Sequence, residues 1–193
     1  MRARIAMTTL ILASLIAAAG CGPIIGQVMK SSTGLKDFQV RSGAVKDFAA
    51  VGTVLVFAPF TKGEKGYYLC RGEDEWQIAE GFKRSGLFQT QYAFERDTDA
   101  AAATLAALRT ASPEEARTRL ALPAAPDAIL SGVILERDES VAPMVGVIQE
   151  LRLRLDLTNL KSHATTSIEI AVKAMHQDTI PMIVAEIVRR SRG

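Results

Sequence analysis

The sequence lacks the short motifs that mark the common hydrolases and nucleotide-binding enzymes. It contains no Gly-x-Ser-x-Gly elbow, no glycine-rich phosphate loop and no His-Glu-x-x-His pair. Its two histidines, His163 and His176, are thirteen residues apart, with no carboxylate or thiol at a metal-ligand spacing. We therefore expect solvated histidines, no metal, no cofactor and no catalytic residues. The alternative is a hydrolase, which would need a pocket where one of these histidines meets carboxylates.

Cysteine is also scarce, since the chain has only Cys21 and Cys70. In an oxidising compartment these two thiols could form a single disulfide. If Cys21 is modified in another way, Cys70 has no partner within the chain. We then interpret Cys70 as a small buried hydrophobic side chain, with a reactive or intermolecularly bonded thiol as the alternative.

The N-terminal segment contains the one long apolar run. Arg2 and Arg4 precede an apolar run from Ile5 to Ala19, which is shorter than the roughly 20 residues that span a bilayer. It ends in small residues, as the site of a signal peptidase does. This pattern predicts an export signal over residues 1–20 that is cut, with an uncleaved anchor as the alternative.

The segment from Leu15 to Cys21 resembles the lipobox of bacterial lipoproteins, although Ala18 stands where that class usually has Leu. The resemblance implies a diacylglyceryl group on the Cys21 sulfur and, usually, a third acyl chain on its amino group. Two or three chains make attachment effectively permanent, at about 0.8 kcal/mol per buried methylene. Gly22 after the cysteine implies sorting to the outer membrane. An ordinary secretory signal with an incidental cysteine is the alternative.

Charge and length bound the remaining chain. The formal net charge is +2, and removing residues 1–20 removes Arg2 and Arg4 and no acidic residue, which leaves a net charge of 0. Nothing in this balance favours a nucleic-acid partner. About 170 residues remain, which is the size of one domain.

The composition predicts three parts: a lipoprotein signal peptide at 1–20, a lipid-anchored flexible tether at 21–45, and a globular domain at 46–193. The second part is rich in Gly and Ser, and as a coil of about 25 residues it would have an r.m.s. reach of roughly 25–30 Å.

The first half of the globular part alternates strand and helix patterns. The run 51–60 is apolar on both faces, which predicts a central strand, and Gly63 and Gly66 then predict a loop. A helix follows that presents Trp76, Ala79 and Phe82 and ends at Gly86. We interpret Glu73-Asp74-Glu75 at its start as compensation of the helix dipole, rather than as a metal or acid–base cluster.

The second half predicts short helices and then a meander. A strand at 89–95 precedes helical segments at 100–109 and 112–120, the second capped by Ser112 and Pro113. Strands follow at 128–137, 151–158 and 168–175, and their polar face has the pattern of a solvated charge ladder. A last helix capped by Asp178 closes the chain. The fold class is α+β, with one mixed sheet of about five strands packed by two or more helices.

This order of elements resembles the small α+β periplasmic domain of the curli-secretion lipoproteins, the lipoprotein activators of penicillin-binding proteins and the amino-terminal domain of the Tol-system β-propeller protein. Three matches carry the resemblance: Val54 to Phe60 as the opening strand, Asp127 to Ile134 as the strand after the helical segment, and the closing strands and helix. The resemblance implies a periplasmic domain of an envelope system.

Two segments are candidate interaction surfaces. The first is an apolar loop, for which the partner-binding residues would be Val141, Pro143, Met144, Val145, Val147 and Ile148. It could instead fold onto the core or extend the next strand, and it is too short for two membrane-spanning strands, which argues against a curli-type pore. The second is Tyr67-Tyr68-Leu69 with Trp76, for which core packing is favoured over an aromatic patch.

The sequence therefore predicts a non-enzymatic accessory lipoprotein of the outer membrane, facing the periplasm. Its membrane contact would be the lipid on Cys21, and its domain would bind and position protein partners in envelope assembly, transport or secretion. The alternative is a structural subunit that forms a homo-oligomeric envelope complex through strand edges or the 141–148 loop.

Overall fold

The computed structural model describes Gln27 and residues 31–193. The predicted signal peptide, the lipobox and Cys21 lie outside the described residues. Within the described part, no helix combines the length and the apolar character that crossing a membrane requires.

The described chain forms seven strands, four α-helices and a short 3-10 helix. The strands are β1 Gly34–Ser42, β2 Thr53–Ala58, β3 Thr61–Lys65, β4 Gln89–Phe94, β5 Ala128–Ala142, β6 Gly146–Asn159 and β7 Thr165–Met175. The 3-10 helix is Val45–Ala49, and the α-helices are α1 Glu73–Ser85, α2 Thr98–Arg109, α3 Pro113–Leu120 and α4 His176–Arg192.

All seven strands belong to one mixed sheet. Six follow the order β1-β7-β6-β5-β2-β4, and β3 pairs with the distal part of β5. β2 is parallel to both β4 and β5, whereas β5, β6, β7 and β1 pair antiparallel. The α+β mixed sheet is confirmed, but the predicted number of about five strands is too low.

The two additional strands have weak sequence patterns. β3 falls on the Gly63 and Gly66 segment that predicted a loop, and it is short and polar. β1 falls within residues 21–45, which composition predicted as a tether. Its side chains are largely exposed or half-buried because it is an edge strand. Pairing with β7 gives it an order that its own composition does not indicate.

β2 confirms the central strand predicted from its apolar run. Val54, Leu55, Val56 and Phe57 are all at least 98% buried. The alternate side chains point to opposite faces of the sheet, so both faces must be covered here.

Two apolar cores lie on opposite faces of the sheet. The larger core joins the inward side chains of α1 and α4 to β2, β5, β6 and β7, with Phe82, Ile183 and Leu153 among its members. The smaller core lies under α2 and α3, where Leu108 and Ala116 pack near Leu55 and Ile129. The sheet is therefore covered by helices on both faces near β2.

The remaining sheet surface carries the expected charge ladder. Arg152 Nη1 lies 3.0 Å from Glu169 Oε1, and Arg41 Nη2 lies 2.7 Å from Glu169 Oε2. Lys173 pairs with Glu150 at 3.6 Å on neighbouring strands. These cross-strand pairs confirm the prediction from the alternating pattern of β6 and β7.

The helix ends agree with their capping signals, with one shift. Ser112 and Glu115 form a capping box at the start of α3, and Gly86 ends α1 with a φ of 62° that favours glycine. α4 begins at His176 rather than after Asp178, directly at the end of β7. Its apolar stripe is buried as predicted, at Ile180, Ile183, Val184 and Ile187.

Candidate partner-binding site

The outer surfaces of α1 and α4 meet at a glycine. A Cβ atom added to Gly81 would lie 3.0 Å from Cγ2 of Val184, a distance tighter than most contacts of real side chains. The absence of a side chain at Gly81 therefore lets the two helices approach closely, with Val184 against the backbone of α1.

Two adjoining surface cavities lie along this helix pair, with volumes of about 560 and 550 Å³. Both are lined by Gly81, Arg84 and Pro181, so they form one continuous groove, here named the α1–α4 groove. The groove has apolar walls at Val184, Ala185 and Val188. Such an elongated apolar depression has the form of a site for an extended or helical peptide segment.

Arginines border the end of the groove near the C-termini of both helices. Arg84 Nε donates to Glu80 O at 3.3 Å, and Arg192 Nη2 donates to Ser85 O at 2.9 Å. Among the described residues, no carboxylate lies within ion-pair distance of either guanidinium. These two cations are therefore positioned to pair with a carboxylate of a bound molecule.

The neighbouring Arg189 shares one carboxylate with Arg190. Its Nη2 lies 2.7 Å from Glu186 Oε1, and Arg190 Nε lies 2.6 Å from the same oxygen. The hydrogen bond from Arg189, followed by that from Arg190, lowers the pKa of Glu186 to about 2. Arg84 and Arg192 therefore offer a ligand positive charge that no carboxylate of the described chain compensates, beside the one uncompensated charge of the Arg189–Arg190–Glu186 group.

The opposite end of the groove is lined by Glu73, Trp76, His176 and Gln177. The Trp76 side chain is 53% exposed. The inward stripe predicted for α1 is therefore correct for Ala79 and Phe82 and wrong for Trp76, which borders the groove. A half-exposed tryptophan beside an apolar depression is a common anchor for a binding partner.

Behind this end lies a buried charged cluster that the sequence did not reveal. Arg137 of β5 donates to the carboxylate of Asp74, and both residues are more than 90% buried. The Arg137 guanidinium also lies 5.7 Å from the centroid of the Tyr67 ring. Among the described residues, Arg137 Nε and Nη1 have no hydrogen-bond partner.

A bulge in β5 explains why an arginine enters the core. The register with β6 shifts between Ile134 and Glu136, and Arg137 consequently pairs with Leu151, whose side chain is fully buried. One extra residue reverses the alternation of the two faces from that point on. No pattern within residues 128–137 marks the bulge, so the inward direction of Arg137 was not predictable.

Glu75 connects the first turn of α1 to the segment that follows β2. Its carboxylate accepts a hydrogen bond from the N–H of Phe60, while Tyr68 Oη donates to Phe60 O. Burial raises the pKa of the Glu75 carboxyl above its ordinary value, and the bond from Phe60 opposes that shift. The dipole interpretation of Glu73-Asp74-Glu75 is therefore incomplete, because Asp74 and Glu75 make tertiary contacts.

The two histidines are far apart. His163 lies in the turn after β6, with Nδ1 3.2 Å from Arg109 O, whereas His176 begins α4 with Nδ1 3.5 Å from Glu139 Oε1. The eleven residues of β7 separate them by roughly 36 Å. In the described part of the chain, no three His, Cys, Asp or Glu side chains are grouped to hold a metal ion.

Cys70 and the aromatic segment differ in part from their predictions. Cys70 is an exposed free thiol, so its interpretation as a buried hydrophobe is wrong. It lies in the loop before α1. Tyr68 packs against the larger core as expected, but Tyr67 and Leu69 are 39% and 42% exposed.

The predicted 141–148 loop is the tip of the β5–β6 hairpin. Val141 pairs with Val147 and Ala142 with Gly146, which leaves Pro143, Met144 and Val145 as the turn. Val141 and Met144 are 75% and 88% exposed, whereas Ile148 is 1% exposed. The strand-extension alternative is therefore the observed one, and Ile148 is not available to a partner.

No protein-family model matches the chain, and no curated protein matches it. Several solved structures are similar to it at low identity, among them the following three. PelC from Paraburkholderia phytofirmans, a dodecamer in space group P6, is 15% identical with a TM-score of 0.45, covering 80% of this chain and 94% of that one. A single-residue variant of that dodecamer in space group C2 is 13% identical with a TM-score of 0.46, covering 81% and 96%. The hypothetical protein CT253 from Chlamydia trachomatis is 16% identical with a TM-score of 0.44, covering 72% and 98%.

Proposed function

We propose that this chain is a non-enzymatic accessory lipoprotein, held on the periplasmic face of the outer membrane by lipid on Cys21, whose domain binds and positions a protein partner in envelope assembly, transport or secretion. The anchor is supported by the N-terminal pattern of Arg2, Arg4, the apolar run to Ala19 and the lipobox-like end.

The α1–α4 groove is the observation that supports partner binding. Its apolar walls at Val184 and Val188 offer burial to an apolar side chain, and Arg84 and Arg192 offer charge-assisted hydrogen bonds at one end. The complementary ligand is a peptide segment with an apolar face and an acidic end. A helix with anchors at i, i+3, i+4 and i+7 meets that description.

The mechanism is localisation rather than chemistry. Only residues 22–33 separate Cys21 from β1, and twelve residues span at most about 43 Å. The groove would therefore remain close to the membrane, where a partner that visits the same surface meets it at high effective concentration.

A peptide-binding measurement tests the groove directly. A fluorescent 18-residue amphipathic peptide with two glutamates at its C-terminus would be titrated with the protein, beside the same peptide ending in two lysines. We expect the glutamate peptide to bind about tenfold more tightly, which corresponds to about 1.4 kcal/mol. Equal affinities would contradict a site defined by Arg84 and Arg192.

Two matched variants locate the binding. Ala185→Glu places a bulky anion on the exposed wall of the groove, whereas Ala106→Glu makes the same change on the exposed face of α2, across the sheet. We expect Ala185→Glu to weaken the glutamate peptide about tenfold, because it obstructs the groove and repels the acidic end of the peptide. Ala106→Glu should leave the affinity unchanged. Equal effects would mean that the peptide binds elsewhere.

The alternative function, a structural subunit of an oligomeric complex, is supported by the two outer strands of the sheet. Among the described residues, β1 and β4 each pair on one side only, which leaves backbone donors and acceptors available to another copy. Sedimentation of the lipidated protein in detergent distinguishes the two functions. A discrete ring-sized species supports the subunit, whereas a monomer supports the accessory protein.

A further inference from the structure

The tip of the β5–β6 hairpin presents apolar side chains to solvent without a groove to receive a partner. Val141 and Met144 are 75% and 88% exposed, Val147 is 39% exposed, and Pro143 is exposed between them. The tip extends beyond β7, whose pairing with β6 ends at Ile148, whereas β5 and β6 stay paired as far as Ala142 and Gly146. We propose that the tip inserts into the interfacial region of the same membrane leaflet that carries the Cys21 lipid, as a second membrane contact of the chain.

The sheet register places this tip at the end where the N-terminal segment enters the domain. Gly34 at the start of β1 pairs with Lys173, which pairs with Glu150, which pairs with Asp138. These four residues form one row across the sheet. The last pair of the hairpin, Ala142 and Gly146, lies about 14 Å beyond that row, and Met144 lies further still, on the side from which the anchored segment arrives.

The length of the connecting segment favours this orientation. Residues 22–33 span at most about 43 Å, and the start of β5 lies about 33 Å from the Asp138 row in the opposite direction. Placing that opposite end at the membrane would use about three quarters of the segment's full length to run back along the sheet. With the tip toward the membrane, no such extension is needed.

The charges beside the tip favour apolar insertion over binding to anionic headgroups. Near the row, three acidic side chains, Asp138, Glu139 and Glu150, outnumber two lysines, Lys36 and Lys173, of which Lys173 is paired with Glu150. A surface of this charge is not attracted to an anionic bilayer. Valine, methionine and proline can instead lie among the first acyl methylenes, at the depth of an interfacial segment.

The test uses tryptophan fluorescence in the full lipidated chain. Trp76 is the single tryptophan, so Trp76→Phe gives a background in which Met144→Trp reports on the tip. The protein would be reconstituted into phosphatidylcholine vesicles with or without brominated acyl chains, which quench only by contact. Ser162→Trp, in the exposed turn at the far end of β6 and β7, is the matched control.

We expect brominated lipid to reduce the emission of Met144→Trp and to leave that of Ser162→Trp unchanged. Val141→Trp, also at the tip, should behave like Met144→Trp, and it guards against misfolding of either variant. Circular dichroism would confirm that all three keep their secondary structure.

The inference rests on the proposed lipid anchor, and flotation separates the two. Protein that floats with vesicles while both tip variants escape quenching would overturn the membrane contact and leave the anchor intact. Protein that fails to float would overturn both. The emission could instead change with the number of protein molecules per vesicle and not with bromination of the lipid. That result would mean that a second copy covers the tip, which also overturns the proposal.

Discussion

The pair formed by Asp74 and Arg137 joins the first turn of α1 to β5 inside the protein. The two side chains are almost completely removed from water, and two nitrogens of the guanidinium have no other partner among the described residues. Burial raises the pKa of Asp74 above its ordinary value, and the attraction of Arg137 opposes that shift. Each charge therefore depends on the other for its compensation.

A double-mutant cycle measures this dependence. We expect Asp74→Leu to reduce the free energy of unfolding by about 3–5 kcal/mol, because it leaves a buried guanidinium without a counter-charge. Adding Arg137→Met should recover most of that loss, because two apolar side chains need no compensation. Urea unfolding of the two single variants and the double variant gives the values. A double variant as unstable as the sum of the singles would show that the pair is not coupled.

The stability of the Arg137→Met single variant should depend on pH differently from that of the unaltered protein. Without the guanidinium, burial is the main influence on Asp74, and its pKa rises further in the folded state. A carboxyl whose folded-state pKa is raised favours folding below its unfolded value and loses that advantage as the pH rises. The deficit of Arg137→Met relative to the unaltered protein should therefore grow between acid and neutral pH.

At the level of elements, α4 contributes one side to the larger core and another side to the α1–α4 groove on the surface. Its stripe from Ile180 to Ile187 is buried, while its other side forms a wall of the α1–α4 groove. Glu186 lies between these sides and holds Arg189 and Arg190 near the C-terminal end of the helix, where positive charge is favourable.

Replacing Glu186 by glutamine should make α4 less stable only above acid pH. The folded-state pKa of about 2 lies below the ordinary value of 4.5, so the carboxylate stabilises the fold above about pH 4.5 and loses this effect as the pH falls toward 2. We expect Glu186→Gln to cost about 0.5–1 kcal/mol at neutral pH, because the ion pairs are partly exposed. The difference should disappear near pH 2 in thermal unfolding.

Glu114→Gln on α3 is the matched control, since Glu114 forms an exposed i,i+3 pair with Arg117 at 3.3 Å. We expect almost no change in stability from it. A pH-independent loss in Glu186→Gln would show that side-chain packing, rather than charge, causes its effect.

An element could be predicted from the sequence when the residues that stabilise it lie within the element itself. The apolar run of β2, the alternation of β6 and the Ser112 cap each contain their own signal, and all three predictions are confirmed. β1 and β3 take their order from pairing with distant strands, and the sequence did not indicate them. The groove depends on helix packing around Gly81, and the inward Arg137 on a bulge, so neither was predictable.

On the scale of the whole molecule, the prediction with the widest consequences concerns Cys21. A palmitate analogue supplied to a Gram-negative host should label the full chain and not its Cys21→Ala variant, because the thiol is the attachment atom. The labelled protein should fractionate with outer membranes. Absence of label in both forms would contradict the anchor and leave Cys21 and the exposed Cys70 as candidates for a disulfide.

The position of β1 also determines how the domain would respond to mechanical load. A pull through an anchor at Cys21 reaches the fold at Gly34 and acts along the axis of β1, whose hydrogen bonds to β7 run across that axis. All the bonds of the strand then resist sliding together, instead of separating one after another. Although β1 is an edge strand that contributes little to the cores, it would thus transmit the load between the membrane anchor and the rest of the domain.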